Sequence, residues 1–493
     1  MNLSKKINVC FAVLWMLFLL SWVGLFVSSK VFGWPAFHND ALLEKRTLTA
    51  RPDYRALPAK KWGGATEKWY NDNFAWRSDI ITFYRDLHFK YFKSPVKGSV
   101  PGVGNWVFGR GGVWPEVEDY MGAIKMDDAM IADWETLFEG RVAWCEAHGC
   151  RYLQVITSMK AHVHPEKMLP MITLHKKESY RDDLRREMAS SFACTNVLFL
   201  IDALSAEVAA GHEVYYEEDH HENAYGCYCI YREMNRRMRE LWYPELPDFP
   251  YYEDPVPQDV RDGKAAGCWV NDERRLVVSN PGTELVAWPA LHIVARDPHY
   301  PQCRLFVRQP GEERFAIIAH DSFLRYPFST WYDRADPSKF ALPVGAGFDR
   351  LAMMIFTRLT TERMEGYVSK EVPDVLIEQF SEGRLQFGPV GLDETMRRAS
   401  AWGRGTPVDA QSVQGGKPMV MAVFENVTVG KGATATAELR DAAGAVLATV
   451  PLSAGVRRAV FFGEVEINGE VTAVAAGCTG ELVHIEFRSG LHK

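Results

Sequence analysis

At 493 residues the chain is too long for one ordinary domain and predicts a large domain with a smaller companion. A composition that is 47% hydrophobic and 24% charged, with no low-complexity tract, excludes a disordered chain. A formal net charge of −7 without a basic stripe excludes the electrostatic footprint of a nucleic-acid binder.

From Ile7 to Val27 the chain reads INVCFAVLWMLFLLSWVGLFV, an uncharged run long enough to cross a bilayer as one helix. Lys5 and Lys6 precede it, which predicts a cytoplasmic N-terminus and export of the rest. A cleaved signal peptide is the alternative. The run is long for one, however, and Val27-Ser28-Ser29-Lys30 is a poor cleavage site. Residues 1–29 are therefore expected to be a signal anchor, followed by a Pro-, Arg- and Lys-rich stalk over 30–65.

From about Glu67 the pattern turns helical, with Trp69, Phe74, Trp76, Ile80, Ile81, Phe83 and Tyr84 near one face. VPGVGNWVFGRGG then marks a turn-rich hairpin with Trp106, Val107 and Phe108 in a strand. Beyond it, apolar strands alternate with helix-length segments. Helices are predicted over 128–147, 177–190 and 225–241. Strands are predicted at Arg151–Thr157, Val197–Asp202, Arg275–Ser279, Arg314–Ala319, Arg350–Thr357 and Asp374–Phe380. This order predicts an α/β fold over residues 66–395, a flavodoxin-like parallel sheet with helices on both faces. Near residue 400 the register changes. A polar, Gly-rich linker is expected over 396–416, then a β-rich accessory module over 417–493, read as a small sandwich.

Of nine cysteines, Cys10 lies in the apolar run, leaving eight: Cys145, Cys150, Cys194, Cys227, Cys229, Cys268, Cys303 and Cys478. An even number in an exported domain permits disulfides, but sequence does not give their pairing. Cys227-x-Cys229 beside His220 and His221 also invites zinc, against which the spacing is wrong for a C-x-x-C knuckle.

Two polar segments carry the chemistry. Glu218-Asp219-His220-His221-Glu222-Asn223 and His320-Asp321-Ser322-Phe323 each close a strand-like run, where open α/β sheets place their sites. Together they supply a carboxylate, an imidazole and a hydroxyl. Asp321 or Ser322 as a plain helix cap is the structural alternative. His220 rivals His221 as base, and Glu217, Glu218 and Glu222 rival Asp219. His162 and His164 follow the strand RYLQVIT and are candidates to bind substrate or metal at the same edge, or ordinary loop polars.

The order of motifs resembles a known family. A membrane segment is followed by N-F-x-x-R at Asn73–Arg77, Gly104-Asn105-Trp106-Val107-Phe108 and Thr157-Ser158-Met159-Lys160. Then come Asp219-x-His221-x-x-Asn223, Asp321-Ser322-Phe323 and Pro373-Asp374-Val375-Leu376-Ile377-Glu378. Over about residues 65–390 this resembles the SGNH-hydrolase-like polysaccharide O-acetyltransferases of the alginate type. The resemblance implies a periplasm-facing enzyme, anchored in a bacterial inner membrane, that acetylates hydroxyls of an exopolysaccharide. It implies Ser322 as nucleophile, His221 as base and Asp219 as orienting acid; no cofactor or metal is expected. It further implies a polysaccharide acceptor and a membrane-bound O-acyltransferase as donor partner. His320 stands where the family carries Gly. A carbohydrate acetylesterase with the same triad and a non-catalytic polysaccharide-binding scaffold are the alternative readings.

Overall fold

The computed structural model describes residues 48–73, 77–94, 98–112, 114–217, 219–246, 251–255, 274–278, 292–294, 304–307, 314–321, 323–324, 348, 350–355, 359–368, 371–409, 412, 415–429, 435–452, 457–467, 470–476 and 478–489, with scattered positions between 12 and 31. The chain divides into two compact units at Lys97/Gly98. In the first, helices Trp62–Asn73 and Arg77–Asp86 begin within the expected stalk and continue through the predicted helical stretch. Among the described residues no helix is long and apolar enough to cross a membrane. Most of Ile7–Val27, and with it the expected anchor, lies outside them.

The second unit opens with the antiparallel hairpin β1 (Ser99–Pro101) and β2 (Val107–Gly109). Its centre is a seven-stranded sheet built from β3 (Arg151–Thr157), β4 (Val197–Phe199), β7 (His292–Val294), β8 (Arg304–Val307), β9 (Phe315–His320), β10 (Arg350–Ile355) and β11 (Val375–Ser381). The spatial order is β4-β3-β11-β9-β10-β8-β7. The first five run parallel, and β8 and β7 add antiparallel at one edge. A separate two-stranded ribbon, β5 (Tyr251–Pro255) with β6 (Arg274–Val278), takes the run predicted at 275–279 out of the main sheet.

Strands β3, β9 and β11 are buried almost end to end because both sheet faces are covered. Successive side chains divide between two apolar clusters, as a period of two requires. Leu153, Val155, Ala316, Ile318, Val375 and Ile377 pack on one face. Tyr152, Ile156, Phe315, Ile317, Ala319 and Leu376 pack on the other. The α/β expectation therefore holds, as a mixed rather than purely parallel sheet.

Three expectations need correction. The run VLFLID is not one strand: β4 ends at Phe199 and helix Ile201–Ala209 follows, so strand and helix share one apolar stretch. The expected linker opens instead with helix Glu394–Arg404, capped by Asp393, whose Met396, Ala399 and Trp402 are buried. This helix lies so close to helix Asp128–Ala147 that a Cβ on Gly140 would sit 2.3 Å from the Met396 carbonyl. Finally, the C-terminal strands are not held apart by a tether, since Met419, Met421 and Phe462 join the apolar cluster of the α/β sheet.

Those strands are β12 (Thr406–Val408), β13 (Met419–Val429), β14 (Ala435–Arg440), β15 (Val446–Leu452), β16 (Ala459–Glu464), β17 (Thr472–Ala476) and β18 (Cys478–Ser489). They form two antiparallel sheets, β12-β18-β13-β16 and β15-β14-β17. Val420, Ala422 and Phe424 of the first share a cluster with Ala437, Leu439 and Val450 of the second.

Candidate active site

The C-terminal ends of β3, β9 and β11 lie side by side, and the segments leaving them build the site. After β3, Lys160 is fully buried. Its ammonium donates to the carbonyls of Tyr216 (3.1 Å), Glu217 (3.1 Å) and Asp219 (2.7 Å). Three protons meet three acceptors, which satisfies a charge that burial would otherwise make costly. The rings of Trp106 and Phe108 lie 5.3 and 5.2 Å from the same nitrogen and screen it from water.

Lys160 thus fixes the loop that carries the predicted base. That loop is closed at its foot by the bridge between Tyr215 and Glu222. It ends at Asn223, whose side chain accepts from Gly226 N (2.8 Å) and caps helix Ala224–Leu241. Gly226 is needed here, because a Cβ would fall 2.0 Å from the Val214 carbonyl.

Within the loop, Asp219 Oδ1 accepts from the backbone N–H of His221 (3.0 Å) and lies 2.6 Å from its Nδ1. Burial alone would raise the Asp219 carboxyl. The hydrogen bond from His221 and the charges of His221 and His220 override it and hold the carboxyl well below the usual range. The pairing sets Nδ1 as the protonated nitrogen and turns Nε2 away from Asp219. His220 is the weaker candidate: its Nδ1 is 3.5 Å from the same oxygen, and its ring leans on Trp114 at 4.6 Å.

The second predicted segment meets this loop. Asp321 is buried, with Oδ1 accepting from Phe323 N (2.9 Å) and Oδ2 from Ser381 N (2.8 Å). Its carboxyl therefore brackets the turn after β9 and ties it to the end of β11. Burial raises it, and the two backbone donors oppose the rise. Phe323 then packs its ring on His221, with centroids 4.9 Å apart. Ser322, between Asp321 and Phe323, lies outside the described residues.

Other candidates resolve into structural roles. Glu222 points inward and is almost fully buried. Tyr215 Oη contacts both the Ser158 carbonyl and Glu222 Oε1, the latter at 3.0 Å. A hydroxyl has one proton and the carbonyl can only accept, so Glu222 must carry the proton that completes the chain. Burial raises the Glu222 carboxyl well above its ordinary value, which agrees.

His162 and His164, candidates for substrate or metal, are instead buried. His162 Nε2 is 2.7 Å from Asp119 Oδ2. Burial pushes the Asp119 carboxyl up to about 7 and the His162 imidazole down to about 4. His164 binds Glu166 at 3.1 Å and accepts weakly from Val214 N. Sequence pattern gave no sign of this, nor of the buried roles of Lys160 and Glu222, because loop polars and buried polars read alike.

Among the described residues two groups have metal-ligand geometry, Asp219-His220-His221 and Asp119-His162-Glu382. The second already holds a cation, since Arg181 donates to Glu382 at 3.0 Å. Cys227 and Cys229, the suggested zinc pair, belong to neither group.

No family model matches the chain, and no curated protein does. Solved structures resemble it loosely. The O-acetyltransferase domain of Pseudomonas putida AlgJ is 12% identical, with a TM-score of 0.34 over 62% of this chain and 99% of that one. Bacillus cereus PatB1 is 8% identical, with a TM-score of 0.36 over 59% and 97%. Pseudomonas aeruginosa AlgX is 12% identical, with a TM-score of 0.32 over 78% and 94%. Likeness at this level fixes neither the chemistry of this chain nor its residue roles.

Proposed function

We propose that the chain is a serine-dependent O-acetyltransferase acting on hydroxyls of an exopolysaccharide or cell-wall glycan. The observation that carries this is the Asp219–His221 couple with Phe323, the residue after Ser322, packed on the imidazole. The motif order in the sequence supports the same reading. In it, Ser322 Oγ attacks the acetyl carbonyl of the donor while His221 Nε2 takes its proton, and Asp219 stabilises the imidazolium. The leaving group departs with that proton, leaving acetyl-Ser322. A glycan hydroxyl then attacks, gives its proton to His221, and leaves as the acetyl ester as Ser322 is restored.

Export and anchoring in a bacterial inner membrane are supported by the Ile7–Val27 run and its preceding lysines. The periplasmic side, the membrane-bound donor partner and a sandwich packing of the C-terminal sheets belong to the same proposal. The test is acetyl transfer from p-nitrophenyl acetate to oligosaccharides by the full chain in detergent. The expected result is acetylated glycan that disappears with Ser322→Ala. Acetate release with no glycan ester identifies an esterase, and glycan binding unaffected by Ser322→Ala without any turnover identifies a scaffold.

A further inference from the structure

Helix Asp128–Ala147 ends in a turn that places two thiols together. His148 is its C-cap and Gly149 follows in the left-handed region, with φ +79°. Gly149 N donates to Glu146 O (3.0 Å) and Cys150 N to Cys145 O (2.9 Å). This is the paired hydrogen bonding of a Schellman motif, in which the side chains three positions before the end and two after it meet. Here those side chains are Cys145 and Cys150. Burial pushes the Cys145 thiol well above its ordinary value, and the neighbouring Cys150 adds to the rise. Both are buried, at 0% and 2% exposure.

Cys227 and Cys229 stand two apart on one helix, where side chains do not face each other, and Cys194 is exposed.

We propose that Cys145 and Cys150 form a disulfide across this turn when the chain folds in an oxidising environment. The inference does not depend on the catalytic reading. Because the folded thiols are buried, closure belongs to folding, before the turn is covered. With glutathione disulfide as oxidant, one cysteine thiolate attacks its S–S bond and expels one glutathione thiolate. The second cysteine thiolate then attacks the mixed disulfide and expels the other. Two cysteine protons are released and two glutathione thiols form, so the two electrons lost by the cysteines reduce one glutathione disulfide.

Trypsin isolates the pair, because it cuts after Arg141 and Arg151 and leaves VAWCEAHGCR intact. The full chain is unfolded in urea with reductant and refolded in detergent with a glutathione redox pair. It is then blocked with N-ethylmaleimide, digested and weighed. The expected peptide lacks two hydrogens and carries no maleimide, and dithiothreitol before blocking converts it to the doubly blocked form. In Cys150→Ala, Cys145 is expected to carry one maleimide. If that variant does not fold, the wild-type peptide decides alone. A doubly blocked wild-type peptide after oxidative refolding, or either cysteine joined to another peptide, overturns the proposal. Closure in vitro with both thiols blocked in protein taken directly from cells supports the pair and counts against the export reading instead.

Discussion

Two buried polar clusters sit on the same sheet and solve the same problem differently. On one face, Arg141 pairs with Glu378, and its terminal nitrogens also reach Tyr152 Oη (3.2 Å) and the carbonyls of Leu359 (2.7 Å) and Val390 (3.2 Å). Charge there is spent on charge, and the group reads as a strut. At the strand ends, two carboxyls three residues apart are driven to opposite states. Asp219 is held ionised by His221, and Glu222 is held neutral by burial. Environments that push neighbouring titratable groups apart are how one site keeps both an ionised orienter and a neutral donor. The strut serves stability; the strand-end cluster is suited to proton transfer.

The sharpest break between the two is kinetic. Ser322→Ala or His221→Ala is expected to lower acetyl transfer by about three orders of magnitude or more, with the urea midpoint little changed. Initial rates and urea unfolding on the same preparations check this.

The converse substitution is Arg141→Met, which leaves Glu378 buried without its cation. It is expected to cost about 3–5 kcal/mol of stability while the rate per folded molecule stays within about twofold. Equilibrium unfolding alongside active-site titration separates the two effects.

Lys160→Met sharpens the comparison, since Lys160 positions the base loop without touching the reacting atoms. Three carbonyls lose their donor, and the Asp219–His221 couple is released from its frame. The expected result is kcat lower by about 10–100-fold with KM nearly constant. A fall in stability with unchanged kcat would assign Lys160 to the strut class.

The smallest effect concerns pH. The folded-state Glu222 carboxyl is raised above its unfolded value, so its contribution to stability is full at low pH and is lost as pH rises toward the folded value. Glu222→Gln keeps a donor for Tyr215 and has no proton to lose. Wild type minus variant should therefore give a stability difference that declines with rising pH, measured by urea midpoints from acid to mildly alkaline buffer. A difference that grows with pH would mean Glu222 is ionised.

Much of this was legible in the sequence, for physical reasons. β3, β9 and β11 read as largely apolar runs because a doubly covered sheet buries both sides of a strand. Asp219 and His221 were legible because two-residue spacing on a loop allows the pairing the structure contains. The antiparallel edge strands β7 and β8 were not, since three or four residues leave no period to detect. Ser and Gly in the run around residues 399–405 suggested a linker, yet Met396, Ala399 and Trp402 supply a helical apolar face. Asp321 was seen as a possible cap, and its grip on Ser381 could not be, because that contact joins strands about sixty residues apart.

The central claim is most directly tested by intact-protein mass spectrometry of the full chain after brief exposure to p-nitrophenyl acetate. The account predicts one acetyl group, mapped by peptide analysis to Ser322, absent in Ser322→Ala and formed slowly in His221→Ala. Turnover with no adduct on Ser322, or an adduct that persists in Ser322→Ala, would contradict it.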